Sequence, residues 1–420
     1  MAEKKKLLFL HHCGTIGGAG LSALQALRAI PRELFDITVY CHTSDSREMA
    51  ELFGGLGLRV LEGGSSPAIY AHYSGAEKPL LSRRSLQTLL LVLRDRPKIE
   101  ALLERERPDV VVVNSMTLFW IGRLAKARGM AAVCFFRETY AREWLGVRNA
   151  IIRRQLSRYF DLVCFISNHD LMQNAALACE KAVVYDSFDD GRYAALPSRS
   201  EARRALGLPQ DRALVLYVGG MSKLKGAHVA LSAMARVSRE DAALVFVGGE
   251  ALLADPPVPA GCRARLRRLF RLPYLRRCRR RYRALAAAGR VCVLPVQQDI
   301  GLCYAAADAL LAPSTRPHQL RPIYEAGACR VPVITTAFDT VREFADGENS
   351  LLIANGDVAG FAAAIEAALG GGPEIEARVR ENYARVMARN SESVVRRQYR
   401  ALFARLHGRV CEKNAGGDCQ

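Results

Sequence analysis

The 420-residue chain has no run of apolar residues long enough to cross a bilayer as a helix. Its opening apolar run, Leu7–Leu10, follows a basic start and is too short for a signal-peptide core. It reads instead as a first β-strand. None of the twelve cysteines forms a Cys-x-x-Cys pair, and several stand singly in apolar runs such as 133–136 and 162–166. Reduced packing thiols are therefore expected, and with them a cytoplasmic compartment rather than a disulfide framework. His11 and His12 are adjacent, but no His or Cys partner stands at a recognised ligand spacing, so no metal site is expected. The chain also lacks an internal repeat, a low-complexity tract and a spaced GxGxxG fingerprint. No helix-turn-helix, zinc-finger or aromatic platform accompanies its charge, which argues against nucleic acid as a partner.

What is present is size, apolar content and positive charge. Half of the residues are apolar, enough for two cores, and the length calls for two domains of about 150–200 residues each. The net charge of +18 points to an anionic partner or surface. Strand, polar loop and helix alternate from end to end. Lys6–Leu10, Ile37–Cys41, Leu58–Leu61, Pro108–Asn114, Ala131–Phe136 and Tyr159–Ser167 read as strands or strand cores of a first parallel sheet, and Ala182–Tyr185 as a further strand. Leu214–Val218, Leu244–Val247, Val291–Leu294, Ala309–Pro313 and Val331–Thr335 read as those of a second. Residues 82–106 read as a helix or a helix pair broken at Pro97, 62–82 as an irregular loop or a short irregular helix, and 187–201 as a linker without periodicity. Ser167 or Asn168 is the candidate cap of the helix that follows, and His169 belongs with that cap.

In open α/β sheets ligands bind beyond the carboxyl ends of the strands, so the loops there hold the candidate site residues. After the first strand comes HHCGTIGGAG, with Gly17 and Gly18 opening a helix whose free N–H groups suit an anion. Asn114 and Ser115 end one strand, and Arg137 and Glu138 end the next. Arg137 could face phosphate and Glu138 a hydroxyl, or both could serve a structural ion pair. In the second half, Gly219, Gly220, Lys223, Lys225 and Gly226 follow a strand. Residues 305–352, AAADALLAPSTRPHQLRPIYEAGACRVPVITTAFDTVREFADGENSLL, contain a strand, a loop holding His318, and a helix start with Arg321, Pro322, Ile323 and Glu325.

This segment resembles the donor-binding region of retaining glycosyltransferases of the GT-B fold, glycosyltransferase family 4. Ala312-Pro313-Ser314, Glu325-Ala326 and Pro332-Val333-Ile334 fit that family's pattern, while Pro317 stands where its first Glu is usual. Gly219, Lys225 and Gly226 fit its Gly-Arg-Leu…Lys-Gly pattern, while Gly220 stands at the Arg and Lys223 is the candidate substitute. The resemblance implies two Rossmann-like domains facing across a cleft: 1–190 on the acceptor side, 191–385 for the nucleotide-sugar donor, a helix at 386–407 crossing back to the first domain, and a disordered tail at 408–420.

The implied activity is transfer of a sugar, with retention, from a nucleotide-diphosphate-sugar to an acceptor hydroxyl in polysaccharide or glycoconjugate synthesis. The resemblance implies no covalent enzyme nucleophile and no metal, and Lys225 would neutralise the leaving phosphate. The Gly17–Gly18 loop, Gly219, Gly220, His318, Arg321, Pro322 and Ile323 would contribute to the donor site, and Glu325 would hold the donor ribose. Asn114, where relatives carry His, and Glu138 would lie near the transferred sugar. A binding protein on a degenerate GT-B fold and a sugar-nucleotide epimerase of the same fold are the alternatives. The arginine-rich stretch 263–283, with Leu266, Leu269 and Phe270 at helical spacing, a break at Pro273 and a second helix after it, is the candidate contact to an anionic membrane at the inner face, where a saccharide or lipid-linked acceptor would be met.

Overall fold

A computed structural model describes residues 3–43, 46–63, 83–140, 146–254, 262–297 and 299–417. The expected irregular loop at 62–82 falls almost wholly outside these residues. The chain divides into two compact units, residues 1–187 with 389–420, and residues 188–388.

In the first unit seven parallel strands, β1 (Lys5–His11), β2 (Phe35–His42), β3 (Arg59–Gly63), β4 (Val110–Val113), β5 (Ala131–Phe136), β6 (Leu162–Phe165) and β7 (Glu180–Val183), lie in the order β3-β2-β1-β4-β5-β6-β7. Burial on both faces explains the unbroken apolar runs. Leu7, Phe9, Val110 and Val112 enter one core, while Leu8, Leu10, Val111 and Val113 enter the other, as the two-residue period of a strand requires. The chain leaves this unit after Ser187 and returns at Arg389. The returning helix, Glu392–Gly417, lays Val395, Tyr399, Leu402, Phe403, Leu406 and Val410 onto the first core. Its length corrects the expected tail, because regular helix runs on through 408–417.

The second unit repeats the arrangement with β8 (Ala213–Val218), β9 (Ala242–Val247), β10 (Val291–Leu294), β11 (Ala309–Ala312), β12 (Val333–Thr336) and β13 (Leu351–Ile353), ordered β10-β9-β8-β11-β12-β13. Both sheets thus start at a central strand, run outward, and restart on its other side. The reversal leaves a switch point between β1 and β4 in one unit and between β8 and β11 in the other, where loops part and a ligand fits.

Several local expectations are corrected. Pro97 does not break its helix, which runs from Arg83 to Glu106. Proline frees the carbonyl four residues back, here that of Leu93, which is 55% exposed and open to water. Pro273 likewise sits inside one helix, Cys262–Ala287, on an exposed position. The stretch expected as a bare linker holds two short helices, Asp190–Ala194 capped by Asp189 and Arg199–Ala205 opened by a Ser198/Glu201 capping box. Ser167, not Asn168, caps its helix, accepting from Asp170 N at 3.1 Å.

The returning helix makes the first core depend on the far end of the chain. Phe403 is fully buried and meets Phe35 and Phe135 edge-on, at 5.8 and 6.3 Å between ring centroids. Phe403→Ala is expected to lower stability by about 4 kcal/mol in denaturant unfolding. Arg400→Ala, one turn away and removing only an exposed pair with Glu33, should change it by less than about 0.5 kcal/mol.

Candidate active site

In the second unit the loops leaving β8 and β11 are joined. Gly226 adopts φ +78°, and a Cβ there would run into the Pro313 carbonyl. Only glycine satisfies both the left-handed backbone and this approach. Thr315 completes the junction, its N–H donating to Leu224 O at 2.8 Å and its hydroxyl to Lys223 O at 2.9 Å. Gly220 also has positive φ, +55°, and lies against the Gly248 backbone. A side chain at this position, where the resembled family has arginine, is therefore strained, and the turn offers no cation there. Gly219 is held beneath Tyr217, whose hydroxyl donates to Gly220 O at 3.2 Å. Lys223 is exposed, and its carbonyl serves Thr315.

This junction brings Lys225, His318 and Glu325 into one electrostatic neighbourhood. Lys225 reaches solvent but is ringed by protein, which lowers its pKa below the ordinary lysine value, with Glu325 acting the other way. Glu325 is buried on the helix Arg321–Ala328, where it accepts from the Tyr304 hydroxyl at 2.8 Å and lies 3.8 Å from the Arg321 guanidinium. Pro322 occupies the helix's first turn, where the missing N–H costs nothing. Ile323 is fully buried and its N–H is bonded to Leu320 O, so it packs the core. Burial and the positive charge of Lys225 push the His318 pKa below that of ordinary histidine, against a backbone bond to Arg316 that raises it.

The first unit has its own polar centre beyond β1, β4 and β5. Arg137, its side chain only 4% exposed, pairs with Asp186 at 3.1 Å rather than with Glu138. It also donates to Asn114 Oδ1, to Ser22 O and to the Tyr399 hydroxyl, and its guanidinium lies 4.8 Å from the Phe135 ring centroid. Arg137 is thus a buried tie between strand ends, the Gly18–Ala29 helix and the returning helix. Its donors are spent there, not on phosphate. With Oδ1 facing Arg137, the Asn114 amide nitrogen donates to Ala19 O at 2.9 Å and to His11 Nδ1 at 3.1 Å. His11 is therefore the Nε2–H tautomer, and burial, with His12 and Arg137 adding, pushes its pKa down to about 3.

Glu138 accepts from the Ser115 hydroxyl and from Met116 N at 3.1 Å, which closes the turn after β4. Burial nevertheless pushes its pKa up to about 7, against those bonds and Arg137, so it changes charge near neutrality. Gly17 and Gly18 are exposed at a helix start with no side-chain cap, and a Cβ on either would meet nothing.

Breaking a buried charge pair leaves one charge uncompensated. Arg137→Met is expected to cost about 3–5 kcal/mol in denaturant unfolding. Wild-type stability would show that Arg137 is not the tie these distances describe.

Residues 198–386 match the family described as glycosyl transferases group 1, and residues 16–174 match Glycosyltransferase Family 4. The chain is 25% identical over 387 residues to a D-inositol 3-phosphate glycosyltransferase of Geodermatophilus obscurus, covering 85% of this chain and 78% of that one. It is 27% identical over 370 residues to the protein of the same name from Actinosynnema mirum, covering 81% of each. Among solved structures, HepE of Anabaena in complex with UDP and glucose superposes with a TM-score of 0.68 at 18% identity, covering 94% of this chain and 98% of that one. The trehalose 6-phosphate synthase of Burkholderia multivorans does so with a TM-score of 0.70 at 15% identity, covering 98% and 99%. The solved structures share the fold, and the two family matches follow one another along most of the chain, one in each unit. With its two parallel sheets of one strand order and its returning helix, this chain belongs to the glycosyltransferases of the GT-B fold, family 4 and group 1.

Proposed function

We propose that the protein transfers a sugar, with retention, from a nucleotide-diphosphate-sugar to a hydroxyl of a saccharide or lipid-linked acceptor. The observation that carries this reading is the seam between the loops after β8 and β11 at the switch point of the second unit, which sets Lys225 beside Gly226 on one side and leads into the helix bearing Glu325 on the other. A diphosphate there meets a cation that the loop geometry holds in place, and the charge that grows on the leaving phosphate is what that cation stabilises. The carboxylate of Glu325 is oriented by Tyr304 before any ligand arrives, which suits it to receive donor ribose hydroxyls. Support for a nucleotide sugar also comes from fold neighbours described as complexes with UDP and UDP-glucose, and the curated relatives are named for sugar transfer to an inositol phosphate. Lys225→Ala should reduce turnover about 100–1,000-fold with the best donor from a nucleotide-sugar panel. Unchanged turnover would remove Lys225 from the chemistry. Donor binding without transfer or hydrolysis in the native protein would favour a binding protein, and acceptor-free interconversion an epimerase.

The reading extends to an anionic membrane at the cytoplasmic face. Residues 256–298 contain twelve arginines and no acidic residue. In the described half of the helix Cys262–Ala287, Cys278 and Leu285 are buried in the protein's own core, with Tyr274 and Tyr282 against it, while Arg276, Arg277, Arg280 and Arg283 are exposed. The side chains of Leu266, Leu269 and Phe270 lie outside the described residues. The exposed guanidiniums supply attraction, about 1 kcal/mol for each arginine near such a surface. Co-sedimentation with anionic vesicles is expected at low salt and lost as salt rises. Equal sedimentation with neutral vesicles, or competition by nucleic acid, would contradict it.

A further inference from the structure

The loop between β11 and the helix Arg321–Ala328 contains a polar atom that the protein itself leaves unused. His318 places Nδ1 3.0 Å from the Arg316 carbonyl. A carbonyl only accepts, so Nδ1 carries the proton and Nε2 is left with a lone pair. That Nε2 is buried and has no hydrogen-bond partner among the described residues. An unpaired buried acceptor is costly and calls for an explanation. The loop holding it is not free to relieve the cost, because Thr315 is tied to the loop after β8 and Gly226 is seated against Pro313.

The charge that acts on this imidazole is that of Lys225, on the loop after β8 that Thr315 ties to the loop of His318, while Glu325 acts on Lys225 from the following helix. A ligand at this place would present an anionic group to Lys225 and, beside it, a hydrogen-bond donor to His318. The diphosphate of a nucleotide sugar followed by the sugar's own hydroxyls has that sequence of groups.

We propose that His318 is a positioning and specificity residue for the donor, accepting through Nε2 a hydrogen bond from a hydroxyl of the transferred sugar. The inference rests on the donor reading above and adds the group that holds the sugar. A neutral acceptor suits the place for a stated reason: no second carboxylate is then set against the diphosphate. Protonation of Nε2 would abolish the acceptor and add a second positive charge beside Lys225. The sugar contact is therefore present when His318 is neutral and is lost as pH falls through its pKa, which lies below the ordinary histidine value of about 6.5.

The test compares a nucleoside diphosphate with its sugar conjugate on the full chain. UDP-glucose, UDP-N-acetylglucosamine and GDP-mannose are titrated first, and the tightest is compared with the matching UDP or GDP. His318→Leu should weaken the sugar conjugate about tenfold or more and leave the nucleoside diphosphate nearly unchanged. His318→Gln, whose amide oxygen reaches the position of Nε2, should recover most of the loss. In the native protein the preference for the conjugate should hold at pH 8 and through the ordinary histidine range, and be lost only at lower pH, as His318 takes up a proton; in the Gln variant it should not be lost. Equal losses for both ligands, failure of Gln to rescue, or a leucine variant with native preference would overturn the role of His318 while leaving the donor reading in place. If none of the three conjugates binds, the donor reading and this inference fall together.

Discussion

The second unit is organised by one close approach, that of the Gly226 backbone to the Pro313 carbonyl. Strands β8 and β11 are neighbours in the sheet but far apart in sequence, so the loops that leave them have no covalent reason to stay together. Glycine at 226 removes the side chain that would hold them apart and accepts the left-handed φ that turns the chain into its next helix. Thr315 adds hydrogen bonds across the same seam. From this contact follows the joining of the loop that carries Lys225 to the loop that carries His318 and leads to Glu325, and hence the electrostatic character of the site. The lysine-glycine pair is thus one device: the glycine fixes the seam and the lysine supplies the charge beside it.

The first unit solves a related problem with a buried cation. Arg137 gathers Asn114, Asp186, Ser22 and Tyr399, which lie on four separated parts of the chain. In low dielectric this is stable only because nearly every donor of the guanidinium is used. Its consequence is a rigid floor at the ends of β1, β4 and β5. Two titratable groups on that floor are driven in opposite directions by one cause, burial, which holds His11 neutral and lifts Glu138 toward neutrality.

How far the sequence could be read follows from the range of the interactions involved. Continuous apolar runs such as Val110–Val113 and Ala213–Val218 announce strands buried on both faces, and their alternation with helices announces two parallel sheets. Lys225 and Glu325 are singled out in the sequence through the resemblance, because each falls in register with a family pattern that follows a strand. The meaning of Gly220 was not legible there, since the constraint comes from the Gly248 backbone after another strand. Nor was Arg137, whose partners lie 49 and 262 residues away at Asp186 and Tyr399. The Ser198/Glu201 capping box was a local signal that composition obscured, because serine, proline and charge also mark linkers. Pro97 misleads for the opposite reason: proline breaks a helix when the carbonyl it frees finds no other partner, and on the exposed face at Leu93 solvent supplies one.

The central claim is that the donor binds at the joined loops after β8 and β11. Amide hydrogen exchange of the full chain, with and without a saturating nucleotide sugar, tests it most directly. The account predicts slowed exchange at 219–226 and at 313–325 when the donor is bound. Protection confined to other segments, or none at saturation, would contradict it.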